Sequence, residues 1–346
     1  MKAMILAAGL GTRMRPLTTH CPKPLLPLML QPTLGHILGQ LQDYKVREVV
    51  INVHHHAEQL AAWLGDGSRW GIRLHLSVEP VILGTAGAIK RAAPFFADAP
   101  FLLLNADVLM EVDLQALWHW HCQQGAMVTM VVRPDPAARS YGPVIIDADN
   151  RVRLIAGRPA PQATVLGEET IFTGLQVVNP EVLDRIPAEG FCTTTGEIYP
   201  ALLEENQPLY GYRHHGYWMD IGVPARYLQA HRDLLNGQLA DLWAQRLPPG
   251  ARAILTPTAI PADLRQATVM PPVLLGAGVR LAAGACVGPY AVLGAGCQVG
   301  PSAMVQESVL WERVHVGSGA YVHQAVLAND VQVPARSQWS AVVRTS

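Results

Sequence analysis

A six-residue repeat beyond residue 262 constrains the fold more than any other feature of the sequence. Aliphatic side chains recur at every sixth position, and small or aliphatic residues stand two positions before each of them. A glycine directly follows four of the six aliphatic positions. The aliphatic positions are Leu275, Leu281, Val287, Leu293, Val299 and Val305. The period slips near Trp311 and resumes at Val316. Such hexads are typical of a β-helix, in which each flat face contributes one inward side chain per rung, so we expect roughly three to five coils.

The first 125 residues alternate strand and helix signals and predict a mainly parallel sheet with helices on both faces. Residues 127–222 contain hairpin signals and are expected to extend this sheet into a lobe, closed by a helix over 224–236. We therefore predict three segments: a Rossmann-like α/β catalytic domain (1–237), a linker (238–262) and the β-helix (263–346). Ligands bind at the carboxyl ends of strands in sheets of this type.

The bulk composition excludes several classes of protein. The net charge of −1 argues against a general nucleic-acid surface, and no apolar run is long enough for a transmembrane helix. The five cysteines are scattered and form no C-x-x-C pair, which argues against zinc and a disulfide framework. Reduced thiols fit a cytoplasmic protein. Because no long apolar run is present, we expect no membrane partner.

The segment that follows the first strand has the residue types of a phosphate cradle. Gly9 and Gly11 allow close backbone approach to a ligand, and Arg13, Arg15 and Lys23 supply positive charge. The segment lacks the G-x-x-x-x-G-K-[ST] pattern of a P-loop. The glycines alone would equally fit an ordinary tight turn.

The whole string, G-x-G-T-R-M-R-P-L-T followed by P-K-P-L-L-P, resembles the signature of the sugar-phosphate nucleotidyltransferases. The resemblance implies transfer of a nucleotidyl group from an NTP to a sugar 1-phosphate. It further implies that Arg13 binds the leaving pyrophosphate and that Lys23 bridges the α-phosphate and the sugar phosphate. Asp107, after an apolar strand, and Asp220, in Trp-x-Asp-Ile-Gly, match the family's ligands for Mg²⁺. The alternative is that each aspartate merely caps a helix or a turn.

The resemblance also implies a nucleoside subsite. Gly84-Thr85-Ala86-Gly87-Ala88 matches the family's base-and-ribose segment, with Thr85 as a potential cap for a helix over Ala86–Phe96. The alternative is simple close packing at a helix start. The predicted nucleotide-binding residues are Leu6, Ala8, Gly9, Gly11, Thr12, Arg13, Gly84 and Thr85.

For the sugar, Tyr141-Gly142 and Phe172-Thr173-Gly174 match two further family elements and place Gly142 and Thr173 at the sugar. Many members carry Glu-Lys-Pro after the hairpin, where this chain has Gly157-Arg158-Pro159. Glu168 or Glu169 is therefore the expected substitute for the missing glutamate.

Within this family, the chain most resembles the bacterial mannose-1-phosphate guanylyltransferases. This resemblance implies that the substrates are GTP and mannose 1-phosphate. The alternative is a uridylyl- or thymidylyltransferase that acts on N-acetylmuramate, glucose or heptose 1-phosphate. Less favoured alternatives are a non-catalytic regulatory subunit and a bifunctional acyltransferase.

The hexads resemble those of left-handed β-helices, several of which are acyltransferases with a histidine between coils, so His315 and His323 are candidates. A structural role is favoured because no long loop interrupts the hexads. We expect a homo-oligomer formed through the β-helix, with Trp311 and Tyr321 as exposed contacts.

Overall fold

The computed structural model describes residues 1–96, 98–136, 138–161 and 167–346. Up to residue 125 the elements are β1 (Lys2–Leu6), β2 (Pro27–Leu28), β3 (Gln31–Pro32), α1 (Thr33–Asp43), β4 (Glu48–Val53), α2 (Ala57–Leu64), β5 (Arg73–Val78), α3 (Gly84–Arg91), α4 (Ala93–Phe96), β6 (Phe101–Asn105), β7 (Val108–Met110) and α5 (Leu114–Gln124).

The predicted single helix over Ala86–Phe96 is wrong, because α3 begins at Gly84 and α4 follows after a break at Ala92. Pro94 lacks the N–H that a continuous helix would need at this point.

The next elements are β8 (Val128–Pro134), α6 (Ala138–Tyr141), β9 (Val144–Ile146), β10 (Val152–Ile155), β11 (Arg158–Pro159), β12 (Glu168–Val178), α7 (Tyr199–Glu204), β13 (Leu209–Arg213), β14 (Trp218–Asp220), α8 (Pro224–Leu235) and α9 (Ala240–Trp243).

The chain forms two compact units, residues 1–10 with 37–218, and residues 11–36 with 219–346. The compact units thus divide the chain differently from the predicted domain boundaries, which stay a prediction.

The first unit is built on a ten-stranded mixed sheet with the order β11-β10-β9-β12-β6-β1-β4-β5; in addition, β8 pairs with β12, and β13 pairs with β8. β6, β1, β4 and β5 are parallel, whereas β12 is antiparallel to β6. This is the expected parallel core with an added lobe. Its interior includes Phe96 stacked on Phe101 at 4.1 Å, and buried Tyr199, whose hydroxyl donates to Gln176 Oε1.

In the second unit, the C-terminal strands are β15 (Arg252–Ile254), β16 (Thr268–Val269), β17 (Val273–Leu275), β18 (Arg280–Leu281), β19 (Cys286–Val287), β20 (Ala291–Leu293), β21 (Gln298–Val299), β22 (Met304–Gln306), β23 (Val309–Leu310), β24 (His315–Val316), β25 (Tyr321–His323), β26 (Val326–Leu327), β27 (Gln332–Val333), β28 (Gln338–Ser340) and β29 (Val343–Arg344). From β16 onward they stack in register as three parallel sheets, which confirms the β-helix.

The hexad residues are the core of this β-helix, since all six aliphatic positions named above are at most 3% exposed. The slip in the period is one residue lost per coil: Val273 pairs with Ala291, 18 residues on, whereas Val309 pairs with Val326, 17 residues on. β15, inside the predicted linker, pairs antiparallel with β17 and so belongs to the first sheet of the β-helix.

Candidate functional site

The carboxyl ends of three parallel strands meet at one edge of the sheet in the first unit. Leu6 at the end of β1 pairs with Asn52 on one side and with Asn105 on the other. The N–H of Ala106 donates to the carbonyl of Leu6 at 3.1 Å, and Asp107 follows, half-buried. The register of the strands therefore brings Asp107 to the end of the strand from which the predicted phosphate loop departs.

A buried polar chain at the same edge was not anticipated from the sequence. The N–H of Ala7 donates to Asn52 Oδ1 at 2.8 Å, and Asn52 Nδ2 donates to Glu79 Oε1 at 2.8 Å. Glu79 Oε2 in turn accepts from the N–H of Leu83 at 3.1 Å. Asn52 and Glu79 are 3% and 2% exposed. The one signal in the sequence is a polar residue near the end of β4, at Asn52, and another just after β5, at Glu79.

This chain of hydrogen bonds ties the exit of β1 to the entry of α3. Both segments were predicted to contact the nucleotide. Asn52 binds the backbone of the first segment at Ala7, and Glu79 binds the backbone of the second at Leu83. Because buried polar groups with complete hydrogen bonding rigidify their surroundings, these residues are positioning residues for the predicted nucleoside subsite.

The start of α3 packs closely against the segment before α7. The N–H groups of Ala86 and Gly87 both donate to the carbonyl of Cys192, at 3.0 and 3.2 Å, which satisfies donors that the helix itself leaves unpaired. Gly84 has φ +75°, and a Cβ there would lie 2.4 Å from the same carbonyl oxygen. Close packing, the alternative interpretation of this motif, thus accounts for Gly84 and Ala86.

Thr85 does not cap α3, so this part of the prediction is wrong. Its hydroxyl accepts from the N–H of Thr194 at 2.8 Å and lies 3.0 Å from Thr194 Oγ1. The threonine is therefore used to join α3 to the π-helical turn Thr194–Ile198. The assignment of Gly84 and Thr85 to the nucleotide stays a prediction.

In the second unit, the two halves of the phosphate-loop signature are in contact. Gly11 adopts φ +61°, and a Cβ there would lie 3.2 Å from Lys23 Cβ and 3.1 Å from Thr18 Cγ2. Thr18 Oγ1 donates to the carbonyl of Gly11 at 2.8 Å. Met14 and Leu17 are buried beneath the loop, whereas Thr12 and Arg13 are exposed and Lys23 is half-buried. The buried residues anchor the loop and leave its cations accessible.

Gly9, in the first unit, differs from Gly11. Its φ is not positive, and a Cβ placed on it would meet no atom of the described residues within 4 Å. Neither backbone strain nor packing in the described structure requires this glycine. Open space at Gly9 is consistent with close approach of a ligand.

Asp220 and Arg13 both lie close to Gly222 in the second unit. A Cβ at Gly222 would lie 3.2 Å from Asp220 Oδ2 and 3.3 Å from Arg13 Nη2. Arg226 in the first turn of α8 forms an ion pair with Asp220 Oδ1. Sequence reasoning missed Arg226, whose only signal is its position six residues after Asp220. Gly222 therefore has a carboxylate and a guanidinium group close to its backbone, and the carboxylate is paired with a second guanidinium group.

In the lobe of the first unit, Gly142 has φ +81° and no described atom within 4 Å of its Cβ position. Thr173 is 1% exposed, its hydroxyl donates to the carbonyl of Val131 at 2.7 Å, and its own carbonyl accepts from Trp218 Nε1 at 2.9 Å. Thr173 therefore secures the fold at the bulge where β12 shifts register against β8. Glu168 is exposed and accepts from Arg213 at 3.0 Å.

A metal site complete within the described residues is absent, since no group of three or more His, Cys, Asp or Glu side chains there could hold an ion. Asp107 and Asp220 belong to different compact units, and their joint ligation of Mg²⁺ stays a prediction.

His54, from the triple-histidine run, binds the carbonyl of Glu79 through Nδ1 at 2.7 Å, as expected for a polar loop. In the described parts of the chain, every helix is too short or too polar to cross a bilayer.

Comparison with known proteins covers almost the whole chain. Residues 2–237 match the nucleotidyl transferase family, and residues 269–345 match the GMPPB C-terminal domain. A UTP–glucose-1-phosphate uridylyltransferase of Synechocystis is 31% identical, with 92% of this chain and 85% of the relative covered. A mannose-1-phosphate guanylyltransferase of Mycobacterium tuberculosis is 30% identical, with 93% and 83% covered.

Among solved structures, HddC from Yersinia pseudotuberculosis complexed with GMP-PN is similar, with a TM-score of 0.56 and 23% identity over 67% of this chain and 99% of that one. A putative glucose-1-phosphate thymidylyltransferase from Bacillus anthracis has a TM-score of 0.58 at 19% identity, over 66% of this chain and 93% of that chain. These likenesses confirm the α/β fold of the N-terminal part. On the family match over residues 2–237 and the relatives at 30% identity and above, this chain belongs to the nucleotidyl transferase family.

Proposed function

We propose that this chain transfers a nucleotidyl group from an NTP to a sugar 1-phosphate and releases pyrophosphate. The observation that carries the proposal is the pairing of β1 with β6, which brings Asp107 to the strand end that leads into the G-x-G-T-R loop. An aspartate at the strand end from which the chain runs on into a cationic, glycine-containing segment suits a reaction between two phosphate-bearing substrates. The family match supports the same reaction class.

The preferred substrates are GTP and mannose 1-phosphate. Support comes from relatives named mannose-1-phosphate guanylyltransferase in Mycobacterium tuberculosis and in rice, the latter 31% identical over 93% of this chain, and from the GMPPB C-terminal domain match. The second candidate is a uridylyltransferase that acts on glucose 1-phosphate, which the Synechocystis relative favours.

Each site residue has a role in this proposal. Arg13, exposed on its loop, binds the leaving pyrophosphate, and Lys23 bridges the α-phosphate and the attacking sugar phosphate. No general base is needed, because the attacking phosphate is already ionised. The catalytic task of the chain is to hold two anions in line and neutralise their charge.

Carboxylates suit Mg²⁺, which prefers one or two of them together with phosphate oxygens. Asp107 and Asp220 would hold this ion, and the ion would offset the charge that develops on the phosphates. Arg226, through its ion pair with Asp220, is proposed to hold this carboxylate in position.

The β-helix is proposed to form a homo-oligomer, and sedimentation velocity of the full chain tests this directly. A mass equal to one chain at micromolar concentration would contradict it. The acyltransferase alternative has less support, because His315 is exposed on its rung and His323 lies 3.8 Å from the carboxylate of Glu307.

The test of the proposed function is a pyrophosphate-release screen of the four NTPs against a panel of sugar 1-phosphates with Mg²⁺ present. We expect Asp107→Asn to abolish turnover and leave the protein folded, because the amide cannot ligate the ion as a carboxylate does. Asp149→Asn, in the exposed hairpin turn, is the matched control and should retain full activity. Normal turnover by Asp107→Asn would contradict the metal assignment, and no turnover with any substrate pair would contradict the proposed function.

A further inference from the structure

The predicted phosphate loop belongs to the same compact unit as the β-helix. Residues 11–36, which carry Arg13 and Lys23, cluster with residues 219–346 and not with the sheet from whose first strand they depart. Lys23 is half-buried and begins a short helical turn, Lys23–Leu25. The contacts that hold this lysine in place are therefore to be sought within the second unit.

The segment that follows Lys23 is anchored by three consecutive backbone carbonyl groups. Each accepts a hydrogen bond from a buried side chain, and the three donor residues are at most 2% exposed. The pairs are Leu26 with Thr33 Oγ1 at 3.0 Å, Pro27 with the hydroxyl of Tyr227, and Leu28 with Nε2 of His36 at 2.9 Å. The N–H of Leu26 in turn donates to the carbonyl of Lys23 at 3.1 Å. The anchored segment is thus hydrogen-bonded directly to Lys23.

Prolines restrict the same segment further. Pro22, Pro24 and Pro27 each fix φ, and they surround Lys23 in the sequence. On its other side Lys23 meets Gly11, where a Cβ would lie 3.2 Å from Lys23 Cβ. Because few backbone rotations remain between Lys23 and Pro27, a displacement of the Pro27 carbonyl is passed on to Lys23.

Tyr227 connects this anchored segment to the β-helix. Its hydroxyl donates to the carbonyl of Pro27 and accepts from Trp311 Nε1 at 3.2 Å. Tyr227 is fully buried, and burial raises the pKa of its hydroxyl, which therefore keeps its proton and remains a donor. A buried hydroxyl with both its donor and its acceptor role filled has a fixed orientation.

Trp311 is held by the coils of the β-helix on both sides. It directly follows β23, which lies between β20 and β26. Its N–H donates to the carbonyl of Leu327 at 2.8 Å, and its own carbonyl accepts from the thiol of Cys297. The β-helix therefore presents the indole N–H of Trp311 to Tyr227 from a rigid support.

We propose that Trp311 and Tyr227 are positioning residues through which the β-helix holds Lys23 in the geometry that nucleotidyl transfer needs. This inference rests on the proposed function, in which Lys23 bridges the two reacting phosphates. Such a bridge demands accurate placement, since misplacement of a group by about 1 Å can cost about 100-fold in rate. The role is separate from the proposed homo-oligomer, because every contact that supports it lies within one chain.

The experiment measures kcat and KM for the substrate pair that wild type uses best in the pyrophosphate-release screen. Tyr227→Phe should lower kcat by about 10- to 100-fold and change KM by less than about threefold. Trp311→Phe, which lacks the N–H, should lower kcat by about 3- to 10-fold, as expected for the loss of one hydrogen bond. The matched control is Trp339→Phe, the same substitution at a half-buried position of β28, and it should keep the kcat of wild type.

A double-mutant cycle with Lys23 separates positioning from folding. All rates are divided by the folded fraction, which circular dichroism measures at the assay temperature. If Tyr227 acts through Lys23, Tyr227→Phe should change the residual kcat of Lys23→Ala by less than about threefold, because residues that act as a unit are not additive. A purely structural role would lower the melting temperature and leave the kcat of the folded protein unchanged, and this result would overturn the proposal.

Two further results would also overturn it. An equal loss of kcat from Tyr227→Phe with and without Lys23 would show that the tyrosine does not act through the lysine. A kcat equal to that of wild type in Trp311→Phe would exclude the β-helix from the arrangement. Turnover by wild type in these cases leaves the proposed function intact, whereas no turnover by wild type with any substrate pair would contradict both.

Discussion

Glu79 shows how a single buried side chain can position a site that it does not itself form. Its two carboxylate oxygens accept from Asn52 Nδ2 and from the N–H of Leu83, and Asn52 Oδ1 accepts from the N–H of Ala7. Every group in this chain therefore has a defined donor or acceptor role. A carboxylate fits because it accepts at both oxygens, whereas an amide can accept at only one.

We therefore expect Glu79→Gln to destabilise the protein by about 1–3 kcal/mol, since one amide N–H must face another donor. The midpoint of urea unfolding measures this change. Glu169→Gln, in an exposed ion pair with Arg139, is the matched control and should leave the urea midpoint close to that of wild type. Equal costs for the two variants would show that the buried chain contributes nothing.

At the scale of elements, α8 is packed between the loop that carries Lys23 and the β-helix, all within the second unit. The buried hydroxyl of Tyr227 on α8 donates to the carbonyl of Pro27 and accepts from Trp311 Nε1 at 3.2 Å. Trp311 is 6% exposed, so its predicted role as an exposed contact is wrong. The reason is tertiary: the rung that carries Trp311 lies against α8.

Removal of this hydroxyl tests how strongly α8 is held. Tyr227→Phe leaves the Pro27 carbonyl and the Trp311 N–H without their shared partner, and we expect a loss of about 1–3 kcal/mol in unfolding free energy. The control is Tyr290→Phe, because the hydroxyl of Tyr290 donates to Asn236 Oδ1 at an exposed position. Calorimetry of both variants should show a lower melting temperature for Tyr227→Phe alone.

At the scale of the whole molecule, buried histidines link stability to pH. His36, His121, His214 and His231 are at most 6% exposed, and burial lowers the pKa of each. For His231 the pKa falls to about 3. In the unfolded chain His231 binds a proton near pH 6.5, whereas in the folded chain it stays neutral until about pH 3. Protonation of this histidine therefore favours unfolding progressively as pH falls from 6.5 towards 3.

Between pH 6.5 and pH 5, His231 alone should lower the unfolding free energy by about 2 kcal/mol. Urea midpoints at pH 7.5 and pH 5 measure the loss. His231→Gln should show a smaller difference between the two pH values than wild type, whereas His119→Gln, at an exposed position of α5, should match wild type. An identical difference in all three proteins would contradict the assignment to His231.

The architecture followed from local patterns, because periodicity reports which side of an element is buried. The hexad residues became the β-helix core, and the apolar run of β6 became the strand that presents Asp107. Where prediction was wrong, local and tertiary demands differed. Thr85 has the chemistry of a helix cap, yet its hydroxyl binds Thr194, which lies 109 residues away in the chain.

The sequence alone was enough to indicate the fold class, the reaction class and the residues that carry charge, because motif spacing and hydrophobic period are local properties. Only the tertiary structure revealed the Asn52–Glu79 chain and the pairing of Asp220 with Arg226. Each of these depends on which partner a polar group meets in the folded chain. Burial and hydrogen-bond satisfaction are set by the packing of the whole chain, so no local pattern can report them.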